Sequence, residues 1–157
     1  MQLKLPFDSK KPVAGEASVH INRALSQVFR YIGENFFENY PKWAVEVLQF
    51  TPLDGQQVFV GAKAKQVRHD NGATVESVFE ITEYQPCERL ALQGVEEPYK
   101  QSYVFMNGDG DKATQLTFRF ELLELEVFMR PFEKLIRTAI EDGAETTAEN
   151  IKTLLNG

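Results

Sequence analysis

Asn71-Gly72 sits between two runs in which apolar residues alternate with polar ones, and this pair constrains the fold more than any other feature of the chain. A two-residue type I′ turn needs positive φ at both central positions, and Asn-Gly satisfies that at least cost. The turn fixes a register: Arg68 faces Val75, Gln66 faces Ser77, Ala64 faces Phe79 and Ala62 faces Ile81. The same register sets Lys63 opposite Glu80 on the other face, a favourable cross-strand pair. A second hairpin is predicted at Asp109-Gly110. It pairs Phe105 with Thr114, Tyr103 with Leu116, Gln101 with Phe118 and Tyr99 with Phe120, and it leaves Lys100 facing Arg119, a poor charge match. The intervening Leu90 and Leu92 join the inner face, giving an antiparallel meander with one greasy concave side.

The flanks of the meander are helical. Residues 16–22 alternate as a first strand, with Val19 and Ile21 on one face. Leu25, Val28, Phe29 and Ile32 then follow helical spacing over 23–35, and 36–43 reads as a second short helix or turn closed by Pro41. Strands and turns fill 44–126. A single helix is expected from Pro131 to Leu155, about 37 Å long, with proline tolerated in its first turn. Its apolar stripe is read as Phe132, Leu135, Ile136, Ala139 and Gly143, continued by Ile151 and Leu154. Gly143 weakens a helix interior by about 1 kcal/mol relative to alanine, and close packing or a slight bend is the expected reason for it. Residues 1–15, with Pro6, Pro12 and Gly15 among lysines, read as an irregular arm ahead of one domain over 16–157. The class is α+β.

Composition removes several functions. A chain of 157 residues, 43% hydrophobic and with twelve phenylalanines, can bury a voluminous apolar core. Its net charge of -6 and the absence of a basic run argue against a nucleic-acid partner. The single cysteine, Cys87, cannot form an internal disulfide and reads as a small buried thiol. No long apolar stretch opens the sequence, so neither a signal peptide nor membrane insertion is expected, and a cytoplasmic location is the default.

Catalytic chemistry is sparse. His20 and His69 lack the paired spacing of a metal site, His20 lying on the outward face of its strand and His69 beside a turn. The run NGDGDK at 107–112 fails as a calcium loop, because Lys112 stands where glycine is needed and Phe118 where glutamate is needed. Glu76, Glu80 and Glu121 fall on the outward face. No metal or cofactor is expected. The inward face says more: Gln66, Ser77, Gln101, Tyr99 and Tyr103 share it with Phe79, Phe105, Phe118 and Phe120. Unpaired buried polar groups cost about 1–3 kcal/mol each, so these must bond to one another, to water or to a ligand. Arg68, on the same face, could hold a carboxylate or enolate oxygen if it points inward. Trp43, at a helix-to-strand junction, is expected to be a packing anchor first and a cavity wall second.

Taken in order, INRALSQVF (21–29), NYPKW (39–43), VG (60–61), YQPCERL (84–90), GDKATQLTF (110–118) and MRPFEKLI (129–136) resemble the START/polyketide-cyclase (SRPBCC) superfamily, in its polyketide cyclase/dehydrase-like branch. The resemblance implies a helix-grip fold, in which an antiparallel sheet wraps a long C-terminal helix. It also implies a cavity for an apolar lipid-, quinone- or polyketide-like molecule. The cavity wall is expected to draw on Trp43, Gln66, Ser77, Phe79, Gln101, Tyr103, Phe105, Phe118, Phe120, Phe132 and Ile136. Binding or transport is the first reading. An aromatase/cyclase or dehydrase is the second, with Tyr103, Tyr99, Arg68 and Gln66 as candidates to polarise carbonyls. A chaperone-activator-like interaction module is the third.

Overall fold

A computed structural model describes residues 12–70 and 72–156. Strand β1 (Val13–Ile21) leads into α1 (Leu25–Phe29), a π-helical turn over Arg30–Glu34, and α2 (Phe36–Trp43). Strands β2 (Val47–Pro52), β3 (Lys63–Asp70), β4 (Ala73–Gln85), β5 (Arg89–Gly94), β6 (Tyr99–Asn107) and β7 (Thr114–Leu122) follow. A 3-10 turn over Val127–Phe132 then feeds α3 (Glu133–Asn156). The strands form one antiparallel sheet in the order β1-β7-β6-β5-β4-β3-β2, with β1 returning to pair with β7. The helix-grip architecture is what the sequence implied. No helix among the described residues is long and apolar enough to cross a membrane.

The first hairpin has the register set by its turn residues: Arg68 faces Val75, Gln66 faces Ser77, Ala64 faces Phe79 and Lys63 faces Glu80. Asn71 itself lies outside the described residues, but Asp70 pairs with Ala73 across it. The second hairpin departs from expectation by two residues. Phe105 faces Leu116, Tyr103 faces Phe118, Gln101 faces Phe120 and Tyr99 faces Leu122. The connection is a loop over 108–113, closed by Gly108 N–H donating to the Ala113 carbonyl at 2.9 Å, rather than a tight Asp109-Gly110 turn. A shift of two keeps every side chain on its face. It also replaces the poor Lys100–Arg119 pair by Lys100 opposite Glu121 and Ser102 opposite Arg119.

Three other boundaries move. β1 reaches back to Val13, which pairs with Leu122, so part of the segment read as an arm is strand; residues 1–11 lie outside the described residues. α2 does not close at Pro41 but runs to Trp43. The proline removes one late backbone donor, and Ala44 N–H still reaches the Tyr40 carbonyl at 3.0 Å. Helix α3 starts at Glu133, with Pro131 in the 3-10 turn before it.

The core lies between the concave face of the sheet and the helices. Phe36, Phe37, Tyr40 and Trp43 point inward from α2 and meet Phe79, Phe50 and Tyr103 from the strands. The buried stripe of α3 is Ala144, Ala148, Ile151 and Leu155, which corrects the sequence reading. Leu135 is 71% exposed, Phe132 51% and Leu154 40%. Small residues occupy the stripe because α3 runs close to β1. A Cβ on Gly15 would stand 2.8 Å from the backbone nitrogen of Glu141. Gly143 is not closely packed, also against expectation, since a Cβ there would meet nothing within 4 Å. Cys87 is only partly buried and holds φ at 61° in the β4–β5 turn.

Candidate functional site

Gly143 lines a gap between α3 and strands β3, β6 and β7, although the same helix touches β1 at Glu141. The gap is a cavity of about 600 Å³. From α3 it is lined by Ile136, Ala139, Ile140, Gly143 and Thr147, a stripe at helical spacing one face round from the buried one. From the sheet it is lined by Gln101 on β6, Phe118, Phe120 and Leu122 on β7, and Arg68 and His69 on β3. Trp43, Val45 and Glu46 close the end where α2 turns into β2. Asn150 fixes this corner, its amide donating to the Trp43 carbonyl at 3.1 Å.

The inward polar residues are bonded to one another beneath this wall. Trp43 Nε1–H donates to the Tyr103 hydroxyl at 3.3 Å, which donates to Gln101 Oε1 at 3.2 Å. Tyr40 donates to Gln66 Oε1 at 3.1 Å. The Gln66 amide nitrogen donates to the Tyr99 hydroxyl at 3.4 Å and to Ser77 Oγ at 3.5 Å. Gln66 is the hub, and Tyr40 is the member of the network that sequence reasoning missed. Its signal was available, because it stands four residues after Phe36 and three before Trp43 on the buried face of α2.

Burial dominates the chemistry of the three tyrosines. It pushes the Tyr99 hydroxyl up to about 12, with the charge of Glu97 adding to the effect and that of Arg68 opposing it most. Tyr40 and Tyr103 are raised further, first by burial and then by neighbouring hydroxyls. All three stay protonated at neutral pH. They serve as hydrogen-bonding groups and not as bases.

The structure thus brings Trp43, Arg68, Gln101, Phe118, Phe120 and Ile136 to one cavity wall. The other expected wall residues, and the catalytic candidate Tyr99, are elsewhere. Gln66, Ser77, Tyr99 and Tyr103 lie behind the wall in the polar network. Phe79 is wholly buried against Phe36, Tyr40 and Phe50, and Phe105 packs edge-on to Phe29. Phe132 points to solvent. Glu46, His69, Thr147 and Asn150 line the cavity without having been singled out for it. His69 was set aside as a turn neighbour, yet it is a strand residue, bonded through its backbone N–H to the Glu46 carbonyl at 2.9 Å. Among the described residues no three His, Cys, Asp or Glu side chains gather as a metal site.

A wrapped antiparallel sheet, a long closing helix and a cavity between them define a helix-grip protein of the cavity-forming kind. The chain belongs to the polyketide cyclase / dehydrase and lipid transport family, whose sequence model matches residues 12–156. Solved structures share the fold at low identity. TTHA0849 from Thermus thermophilus is 16% identical, with 90% of this chain and 96% of that one covered and a TM-score of 0.71. Norcoclaurine synthase from Thalictrum flavum, solved with dopamine and hydroxybenzaldehyde, is 12% identical over 98% and 95% of the two chains, with a TM-score of 0.69. The di-domain ARO/CYC StfQ from the steffimycin biosynthetic pathway is 11% identical at a TM-score of 0.71, covering 93% of this chain and 51% of that one. No curated protein matches the chain. Membership of that family supports a hydrophobic ligand-binding domain.

Proposed function

We propose that the protein binds and carries an apolar small molecule in the cavity between the sheet and α3. The observation that carries this reading is the cavity itself. Its volume of about 600 Å³ falls within the range of small-molecule sites, and its wall is mainly apolar with a few placed polar groups. Carriage is favoured over turnover by the state of the hydroxyls: Tyr40, Tyr99 and Tyr103 are engaged with Gln66 and Gln101 and held protonated.

A cyclase or dehydrase is the second reading. It is supported by Arg68 and Gln101, which line the cavity and could polarise a carbonyl there, and by the fold shared with the ARO/CYC protein. An interaction module would instead present an exposed apolar patch. Phe128, Phe132 and Leu135 are exposed around the start of α3, but exposed apolar side chains are ordinary and a cavity of this volume is not.

The test is mass spectrometry of molecules released from the purified native protein, followed by their return to the stripped protein. A carrier releases an apolar compound at near one equivalent and regains thermal stability when the compound is restored unchanged. An enzyme returns it chemically altered. If nothing co-purifies and no apolar probe binds, both cavity readings fail.

A further inference from the structure

The ionisable side chains of the cavity wall are confined to one end. Glu46, Arg68 and His69 line it where the α2–β2 turn meets β3. Every lining residue from β6, β7 and α3 is apolar or uncharged, among them Phe118, Phe120 and Ile136. The three ionisable positions also differ in depth. Glu46 and His69 are exposed at the rim, whereas Arg68 is partly buried and its Nε is inaccessible to solvent. Arg68 shares its face of β3 with Gln66, two residues away, whose side chain bonds Tyr40 and Tyr99, and it lines the cavity from that face. A molecule passing the rim therefore meets a cation at one end and aromatic and aliphatic surface along the rest.

We propose that the ligand is amphipathic and carries one anionic group, a carboxylate or its equivalent, held by Arg68, with its apolar body along Phe118, Phe120 and Ile136. This rests on the reading of the cavity as a ligand site and adds the class of ligand. Arg68 suits the role because its planar fork matches a carboxylate in two parallel hydrogen bonds.

Two dyes with the same rings separate the ideas: anilinonaphthalene sulfonate, which is anionic, and phenylnaphthylamine, which lacks the sulfonate. The wild-type protein is expected to bind the anionic dye about 10- to 100-fold more tightly, the range of a charge-assisted hydrogen bond. In Arg68→Gln the ratio of the two affinities should fall toward one, and Arg68→Lys should keep part of it. Gly143→Trp, which places an indole in the cavity from α3, should weaken both dyes together; an anionic dye bound there as tightly as to wild type would be a surface ligand and would overturn the proposal. Equal wild-type affinities, or a loss of both dyes in Arg68→Gln with the ratio unchanged, would also overturn it while leaving the cavity reading intact. Failure of both dyes to bind the wild type would remove the cavity reading as well.

Discussion

Trp43 and Tyr103 are joined through the indole N–H and the phenol oxygen at 3.3 Å, and both are almost wholly buried, at 1% and 0% exposure. The bond ties α2 to the centre of the sheet directly behind the cavity wall. The Tyr103 hydroxyl in turn donates to Gln101, which is itself on that wall. Packing and ligand geometry therefore depend on the same hydroxyl.

Replacing Tyr103 by phenylalanine keeps the ring and strands two partners, the Trp43 N–H and Gln101 Oε1. A buried polar group left unpaired costs about 1–3 kcal/mol, so Tyr103→Phe should lower stability by that order in urea denaturation. Ligand affinity should fall less than stability does, because the hydroxyl is not on the wall. A variant as stable as wild type would mean that the Trp43–Tyr103 bond contributes nothing net.

Most of the fold was legible because its signals are local. The Asn71-Gly72 turn and the Lys63–Glu80 pair specify one hairpin without reference to the rest of the chain. The second hairpin misled because a Gly-rich loop admits several closures, and the like-charge pair Lys100–Arg119 was the sign that the tight turn was wrong. The α3 stripe failed for a different reason. Leu135 and Leu154 outweigh Ala144 and Ala148 in hydrophobicity, yet a helix that passes within contact of Gly15 can bury only small side chains there. The site was half legible: inward alternation found the polar and aromatic residues, but depth behind the wall depends on long-range packing that no local pattern carries.

Gly143 and Gly15 make opposite predictions from one substitution. At Gly143 a methyl group enters open space inside a helix, so Gly143→Ala should raise stability by about 1 kcal/mol and leave ligand binding nearly unchanged. Gly143→Trp should fold with native circular dichroism and bind ligand more weakly.

At Gly15 the added Cβ would lie 2.8–2.9 Å from backbone and side-chain atoms of Glu141, and backbone cannot yield by rotating a side chain. Gly15→Ala should therefore push α3 off β1 and cost about 1–3 kcal/mol, the usual penalty of overpacking. Thermal melts of the two alanine variants beside wild type test the pair. Equal shifts of the same sign would mean that the helix does not sit on β1 as described.

Cys87 is the one described non-glycine residue at positive φ, 61°, in the β4–β5 turn. The left-handed region costs an ordinary L-residue about 1–2 kcal/mol, and glycine nearly nothing. Cys87→Gly should raise the melting temperature, less the entropy that glycine adds to the unfolded chain. A lowered melting temperature would show that the partly buried thiol packs more favourably than its backbone is strained.

The five tyrosines give the pH prediction. Tyr31 and Tyr84 are raised modestly by partial burial and by nearby Glu38 and Glu34. Tyr99 stands at about 12, and Tyr40 and Tyr103 are raised further by burial. In the unfolded chain all five should ionise near the ordinary phenol value of about 10. A folded-state pKa above the unfolded one means that the unfolded chain releases its proton first. The stability these hydroxyls provide is complete below the unfolded value and is lost as pH rises through the folded values. Phenolate absorbance should therefore rise in two stages. Tyr31 and Tyr84 should titrate reversibly with the fold intact, and Tyr40, Tyr99 and Tyr103 should appear together, at higher pH, with the loss of circular dichroism. Smooth ionisation of all five before unfolding would place the network in contact with solvent and undo the description of the cavity floor.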